Sequence, residues 1–90
     1  MSKQSKGRIQ VHSFSLLIES TKLGYAELAD ALYGDGGLDD GSLGEREGRL
    51  MVDFDREAPS YAEANKSAKR QLETIEGVLV VALYGHEEAS

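Results

Sequence analysis

Cysteine is absent from this 90-residue chain, which excludes a disulfide framework and any thiolate-held metal. Long hydrophobic runs are absent too, and no apolar stretch approaches the roughly 20 residues a bilayer-spanning helix needs. The start, Met1 to Arg8, is polar and basic, without the apolar core and small-residue cleavage site of an export signal. These absences predict a cytoplasmic protein with no membrane contact. Recurring catalytic signatures are missing as well. No serine stands in a Gly-x-Ser-x-Gly elbow, and Gly34 to Gly37 lack the lysine and hydroxyl of a phosphate-cradling loop. Asp35-Gly-Gly-Leu-Asp-Asp lacks the alternating oxygen ligands and closing glutamate of a calcium loop. The two histidines, His12 and His86, offer two nitrogens without a third ligand, short of a metal site. The sequence therefore predicts no catalytic residue, no cofactor and no metal.

What is present fits one small domain. Apolar residues make up 40% of the chain and charged residues 29%, enough for a single modest core. Chains this small often gain stability by associating. The net charge is −6, unevenly spread. Lys3, Lys6 and Arg8 stand in a segment without acids, so the rest of the chain carries about −9. An acidic body of this kind repels phosphate backbones and suits either plain solubility or a basic protein partner.

The only proline, Pro59, punctuates the most informative stretch. Before it, Leu50, Val52 and Phe54 alternate with Met51, Asp53 and Asp55, the period-two pattern of a strand with one buried face. Proline stops that strand because it has no backbone donor. Ser60 then caps a helix, with Glu63 at the capping-box position. In this helix Tyr61, Ala64, Ala68, Leu72 and Ile75 form the apolar stripe, leaving Lys66, Lys69 and Arg70 outside it.

Around this pair the remaining elements fall into order. Ile9 to Glu19 reads as a first strand with Phe14, Leu16 and Ile18 on one face. Tyr25, Leu28, Ala29 and Leu32 recur at helical spacing until Gly34. A glycine and aspartate loop follows, whose one apolar residue, Leu38, dips to the core. Ser42 to Glu47 reads as a short strand, turned at Glu47-Gly48 into Arg49 to Asp55. Gly77 breaks the second helix, and Val78 to Tyr84 forms a near-continuous apolar strand. The order β-α-β-β-α-β predicts an α+β ferredoxin-like two-layer sandwich: a four-stranded antiparallel sheet with both helices on one face. Residues 1–8 are read as a disordered basic tail, 9–85 as the domain and 86–90 as a frayed end.

In that topology the last strand is an edge, yet no charge or proline blunts it. The sequence thus predicts a homodimer or a tightly held protein partner through this strand or the open sheet face, using Val78, Val80, Ala82, Tyr84, Met51, Asp53 and Asp55. Arg46, Arg49 and Arg56 are near enough along the chain to neutralise the two aspartates as cross-strand pairs. RNA-recognition modules share the topology but need exposed aromatics and bases on the central strands. Here those positions are Met51, Asp53 and Asp55, so no direct nucleic-acid binding is expected.

His12-Ser-Phe-Ser-Leu-Leu, Glu27-Leu-Ala-Asp-Ala-Leu-Tyr33, Gly37-Leu-Asp-Asp-Gly-Ser-Leu-Gly44 and Val52-Asp-Phe-Asp-Arg-Glu-Ala-Pro-Ser60 together resemble a family of small, largely uncharacterised bacterial proteins. Their typical segments read His-Ser-Phe-Thr-Leu and Asp-Phe-Asp-Arg-Glu-Ala-Pro-Ser. The resemblance spans roughly Val11 to Val81, and its most specific part is Asp53 to Ser60. Many such proteins continue into a helix-turn-helix segment, which implies work near DNA-level regulation or mobile elements. That segment is not found here, and Leu38 stands where the family usually has cysteine, so only the sandwich is carried over. Three functions compete: a non-enzymatic interaction module, a small acidic phage or mobile-element inhibitor blocking a nucleic-acid-binding defence complex, and a small-molecule-sensing regulatory domain beside Gly34 to Gly41.

Overall fold

In the computed structural model, which describes residues 9–85, six elements follow the predicted order. They are β1 (Gln10–Ser20), α1 (Tyr25–Tyr33), β2 (Gly41–Arg46), β3 (Arg49–Ala58), α2 (Tyr61–Leu72) and β4 (Val78–Gly85). The four strands form one antiparallel sheet ordered β2-β3-β1-β4. This is the ferredoxin-like α+β sandwich, with β1 and β3 in the centre. The expected tails at 1–8 and 86–90, and His86 with them, lie outside the described residues.

Alternation decides which side of the sheet is buried. Phe14, Leu16 and Ile18 of β1, Leu43 of β2, Val52 and Phe54 of β3 and Val78 of β4 share one core cluster with Leu28 and Leu32 of α1 and Ala64, Ala68 and Leu72 of α2. The two alanines carry so little side chain that α2 sits close to the strands. Phe14 and Phe54 stack at 5.2 Å across the β1–β3 ladder, and Tyr61 meets Phe14 edge-on at 5.9 Å. Leu38 does fold back to the core.

The turns carry local signals as read, with three differences. Glu47 (φ 55°) and Gly48 (φ 79°) both take positive φ, the type I′ hairpin whose twist matches the flanking strands. Glu47 therefore belongs to the turn rather than to β2. The chain leaves α1 at Gly34 with φ −91°, so the left-handed residue after that helix is Gly37 instead (φ 68°). Finally, α2 ends at Leu72 rather than Ile75, and Glu73, just past it, uses its carboxylate elsewhere, as described below.

Both helix starts are capped, by different means. Ser60 Oγ accepts from the Glu63 N–H at 3.1 Å, satisfying one of the donors a helix start leaves open. At α1 the cap residue is Gly24, which has no side chain to accept. Only the reciprocal half of the capping box exists there, with Gly24 N–H donating to Glu27 Oε1 at 3.2 Å. β3 runs on to Ala58, three residues past the predicted end, because β1 extends to Gln10 and pairs with it there.

Candidate interaction surface

The β4 strand does not alternate cleanly, and this rearranges its predicted surface. Ile18 pairs with Val80 but Leu17 pairs with Ala82, so Val81 is an extra residue in a bulge. Before the bulge, Val78 and Val80 face the helices. After it, Leu83 opposite Leu16 takes that side, while Ala82 opposite Leu17 and Tyr84 opposite Ser15 face away from them. A bulge has this effect because one inserted residue shifts the period-two phase of everything after it. Of the seven residues predicted to contact a partner, Val78 is corrected: at 3% exposure it belongs to the core. Val80 and Ala82 are half-buried. The free apolar surface is instead carried by Leu79 (53% exposed), Val81 (51%), Leu83 (46%) and Tyr84 (47%).

The two sheet edges are treated differently. On β2, both backbone groups of Leu43 are taken by tyrosines of α1. Tyr33 Oη accepts from Leu43 N–H at 2.8 Å, and Tyr25 Oη donates to Leu43 C=O at 3.0 Å. Tyr25 shares the helical spacing of Leu28 and Leu32 but not their burial. It is half-exposed, with its ring outside the core and its hydroxyl on the strand edge. With the groups of Leu43 occupied, the middle of this edge cannot pair with another strand. On β4 the protection is partial. The Val80 N–H donates to Glu73 Oε2 at 3.0 Å, and the Val78 N–H donates to Ile75 C=O. Among the described residues, no side chain caps the backbone of residues 81–85.

The Tyr25→Phe, Tyr33→Phe double variant should therefore lose roughly 1–3 kcal/mol, since each hydroxyl contributes a net 0.5–1.5 kcal/mol. It should also aggregate more readily, through a reopened β2 edge. Urea unfolding together with light scattering at matched concentrations checks both effects.

Away from the helices the sheet presents an open face of mixed charge, on which Glu19 of β1 also points outward, near Arg49. On β3 the residues facing outward are, in order, Arg49, Met51, Asp53, Asp55 and Glu57. Arg46 sits opposite Arg49 across the hairpin. Ser13 Oγ donates to Asp55 at 2.6 Å, and Ser15 Oγ donates to Asp53. Arg46 approaches Asp53 at 3.9 Å, with both side chains more than half exposed, a pairing of small energetic weight. Leu17, also on this face, is nonetheless buried. It shares a shallow hollow with Arg46, Glu47, Arg49, Met51 and Tyr84.

Arg56 does not join the two aspartates, because its position on β3 turns it to the helix side. Nε and one terminal nitrogen grip Asp40 at 2.8 and 3.0 Å. The other terminal nitrogen donates to Ser67 Oγ at 3.1 Å, and Gln71 Oε1 accepts as well. The guanidinium lies 4.9 Å over the Phe54 ring. Gln71 continues the network by donating to Gly36 C=O at 2.8 Å. Asp40, the last aspartate of the glycine-rich loop, is thus a structural ion-pair partner. His12, likewise on the helix side, is buried, with Nε2 at 3.3 Å from Ala58 C=O and its ring edge-on to Tyr61.

Among the described residues, no group of three or more histidine, aspartate or glutamate side chains is placed to hold a metal ion. No helix among them is long and apolar enough to cross a membrane. No family model, curated protein or solved structure matches this chain.

Proposed function

We propose that this protein is a non-enzymatic docking module that binds other proteins, a second copy of itself included, through β4 and the open sheet face. The observation that carries this reading is the run of half-exposed apolar side chains at Leu79, Val81, Leu83 and Tyr84. Leu79 and Tyr84 lie on the open face with Leu17 and Met51, while Leu83 lies on the helix side beside α2, and apolar exposure concentrated along one strand in this way marks contact sites. β4 also bears no charged residue, so a chain of net charge −6 meets least self-repulsion there. The resemblance to bacterial proteins extended by helix-turn-helix segments would put such docking in the control of a DNA-binding or mobile-element system.

Sedimentation velocity from low to high micromolar concentration tests this. The expected result is a species of twice the 9.8 kDa chain mass at the upper end. Leu79→Ser, Val81→Ser should weaken it about tenfold or more, because removing each large apolar group from a contact core costs on the order of 1–2 kcal/mol. A single species at the chain mass throughout, with no partner captured by crosslinking, would exclude the reading.

A second reading rests on the exposed row Asp53, Asp55 and Glu57, which presents acids at alternate positions of one strand. Such a row suits occupation of a basic nucleic-acid-binding groove on another protein. Binding of that kind weakens steeply with salt, whereas contact through β4 does not.

A further inference from the structure

We infer that the cleft between α2 and the outer half of β4 receives an extended segment of another protein in which acidic and apolar residues alternate. This assignment rests on the docking reading above and gives the partner's chemistry on the helix side of β4. There Leu16, Val80 and Leu83 supply an apolar floor, and Asn65, Lys66 and Lys69 of α2 form the wall. The lining holds two cations and no acid, on a chain of net charge −6. Both lysines are exposed, and neither forms an ion pair among the described residues. Two acids of α2 stand near them in sequence. Glu63, in the first turn, does not line the cleft, and the Glu73 carboxylate is taken up by the Val80 N–H. On β1, Glu19 lies opposite Leu79 and faces the open side. A segment carrying carboxylates is therefore the one whose charge this cleft complements. The two lysines give the contact a dependence on salt that the uncharged β4 strand alone lacks.

The strand decides the form of the occupant. At its start the Val78 and Val80 N–H groups are held by Ile75 and Glu73, and the bulge at Val81 follows, so this half is closed to pairing. Past the bulge β4 is regular: Ala82, Leu83 and Tyr84 pair in turn with Leu17, Leu16 and Ser15. An added strand takes up the backbone groups left open along that edge. Its side chains alternate between the two sides of the sheet, as those of β4 do. On the helix side they fall beside Leu83, within the cleft that Lys66 and Lys69 line. There the stem of a glutamate packs on leucine while its carboxylate meets an ammonium. On the open side they fall beside Ala82 and Tyr84, neighbours that suit a valine or isoleucine. A second copy suits this flank less well. Pairing β4 with its own image about a two-fold axis sets the two α2 helices side by side and brings Lys66 and Lys69 toward their own images.

The probe is a short fluorescent peptide of alternating glutamate and valine, titrated against the full chain by anisotropy. It should bind with a Kd under about 1 mM. A peptide of the same residues arranged in blocks, and one with lysine in place of glutamate, should each bind at least about tenfold more weakly. Amide hydrogen exchange should slow among residues 81–85 on binding. Lys66→Glu, Lys69→Glu should reverse the preference, weakening the glutamate peptide at least about tenfold and tightening the lysine peptide. Both positions are exposed, and circular-dichroism melts verify folding. If the reversal unfolds, Lys66→Gln, Lys69→Gln replaces it, and loss of the preference for glutamate over lysine becomes the readout. Equal binding of all the peptides, or a preference that the lysine variants leave unchanged, would overturn the assignment. Binding that rises about tenfold in Glu87→Gln, Glu88→Gln would give the cleft to the chain's own end and overturn it too. A wild type that dimerises in sedimentation but binds no peptide would overturn this assignment and leave the docking reading standing. One that does neither would remove both.

Discussion

Replacing Arg56 with alanine is expected to lower the free energy of unfolding by about 2–3 kcal/mol, read as a shift of the urea midpoint. The truncation removes a two-pronged grip on Asp40, two donations into α2 at Ser67 and Gln71, and a cation over the Phe54 ring. It also leaves the Asp40 carboxylate, only about a quarter exposed, without its counter-charge. Losing one partner of a fully buried pair costs 3–5 kcal/mol, and the residual exposure of both groups sets the lower figure here. A domain of 90 residues holds roughly 5–13 kcal/mol in all, so the loss is large. Arg56→Lys should recover only part of it, because an ammonium cannot match the planar fork. Arg46→Ala provides the comparison: its partner Asp53 is exposed, and the change should stay under about 0.5 kcal/mol. Equal losses for the two alanine variants would mean that the Arg56 network has no special energetic role.

Phe14→Ala should cost still more, about 3–5 kcal/mol, and so leave much of the protein unfolded at moderate urea. Phe14 has no exposure and sits on a central strand, stacked on Phe54 and edge-on to Tyr61. Its position restricts how far the site can collapse around the lost ring, since β1 is held by ladders on both sides. The cavity term therefore adds to the transfer term rather than relaxing away. Phe14→Leu, which keeps most of the volume, should lose clearly less. Thermal melts of the two variants give the comparison, and a Phe14→Ala melt within a few degrees of the wild type would show that the stacked pair is not the centre of the core.

The central pair of strands was legible because their patterns are local and strong. Phe14, Leu16 and Ile18, like Leu50, Val52 and Phe54, alternate over enough residues to fix both the element and its buried face. Pro59 and Ser60 marked the junction to α2, and Gly48 marked the hairpin. The candidate surface was less legible. Val78 to Tyr84 is apolar at every position, so its composition carries no phase and cannot reveal that an extra residue at Val81 redirects all that follows. Val78 accordingly reads as contact surface, although it belongs to the core. The Tyr25 and Tyr33 contacts with Leu43, and the Glu73 contact with Val80, left no pattern to read. Each joins a side chain to a backbone group of a different element, and a tyrosine at helical spacing reads first as core.

From the residue pattern alone come the six elements, their order, and hence the right-handed split topology with β1 and β3 at the centre. These follow from period, breakers and chirality, which act over short stretches of chain. Tertiary structure decided which groups of the edge strands remain available and where Arg56 finds its counter-charge. Those outcomes depend on which elements come together and in what register, and that is settled only when the whole sheet assembles.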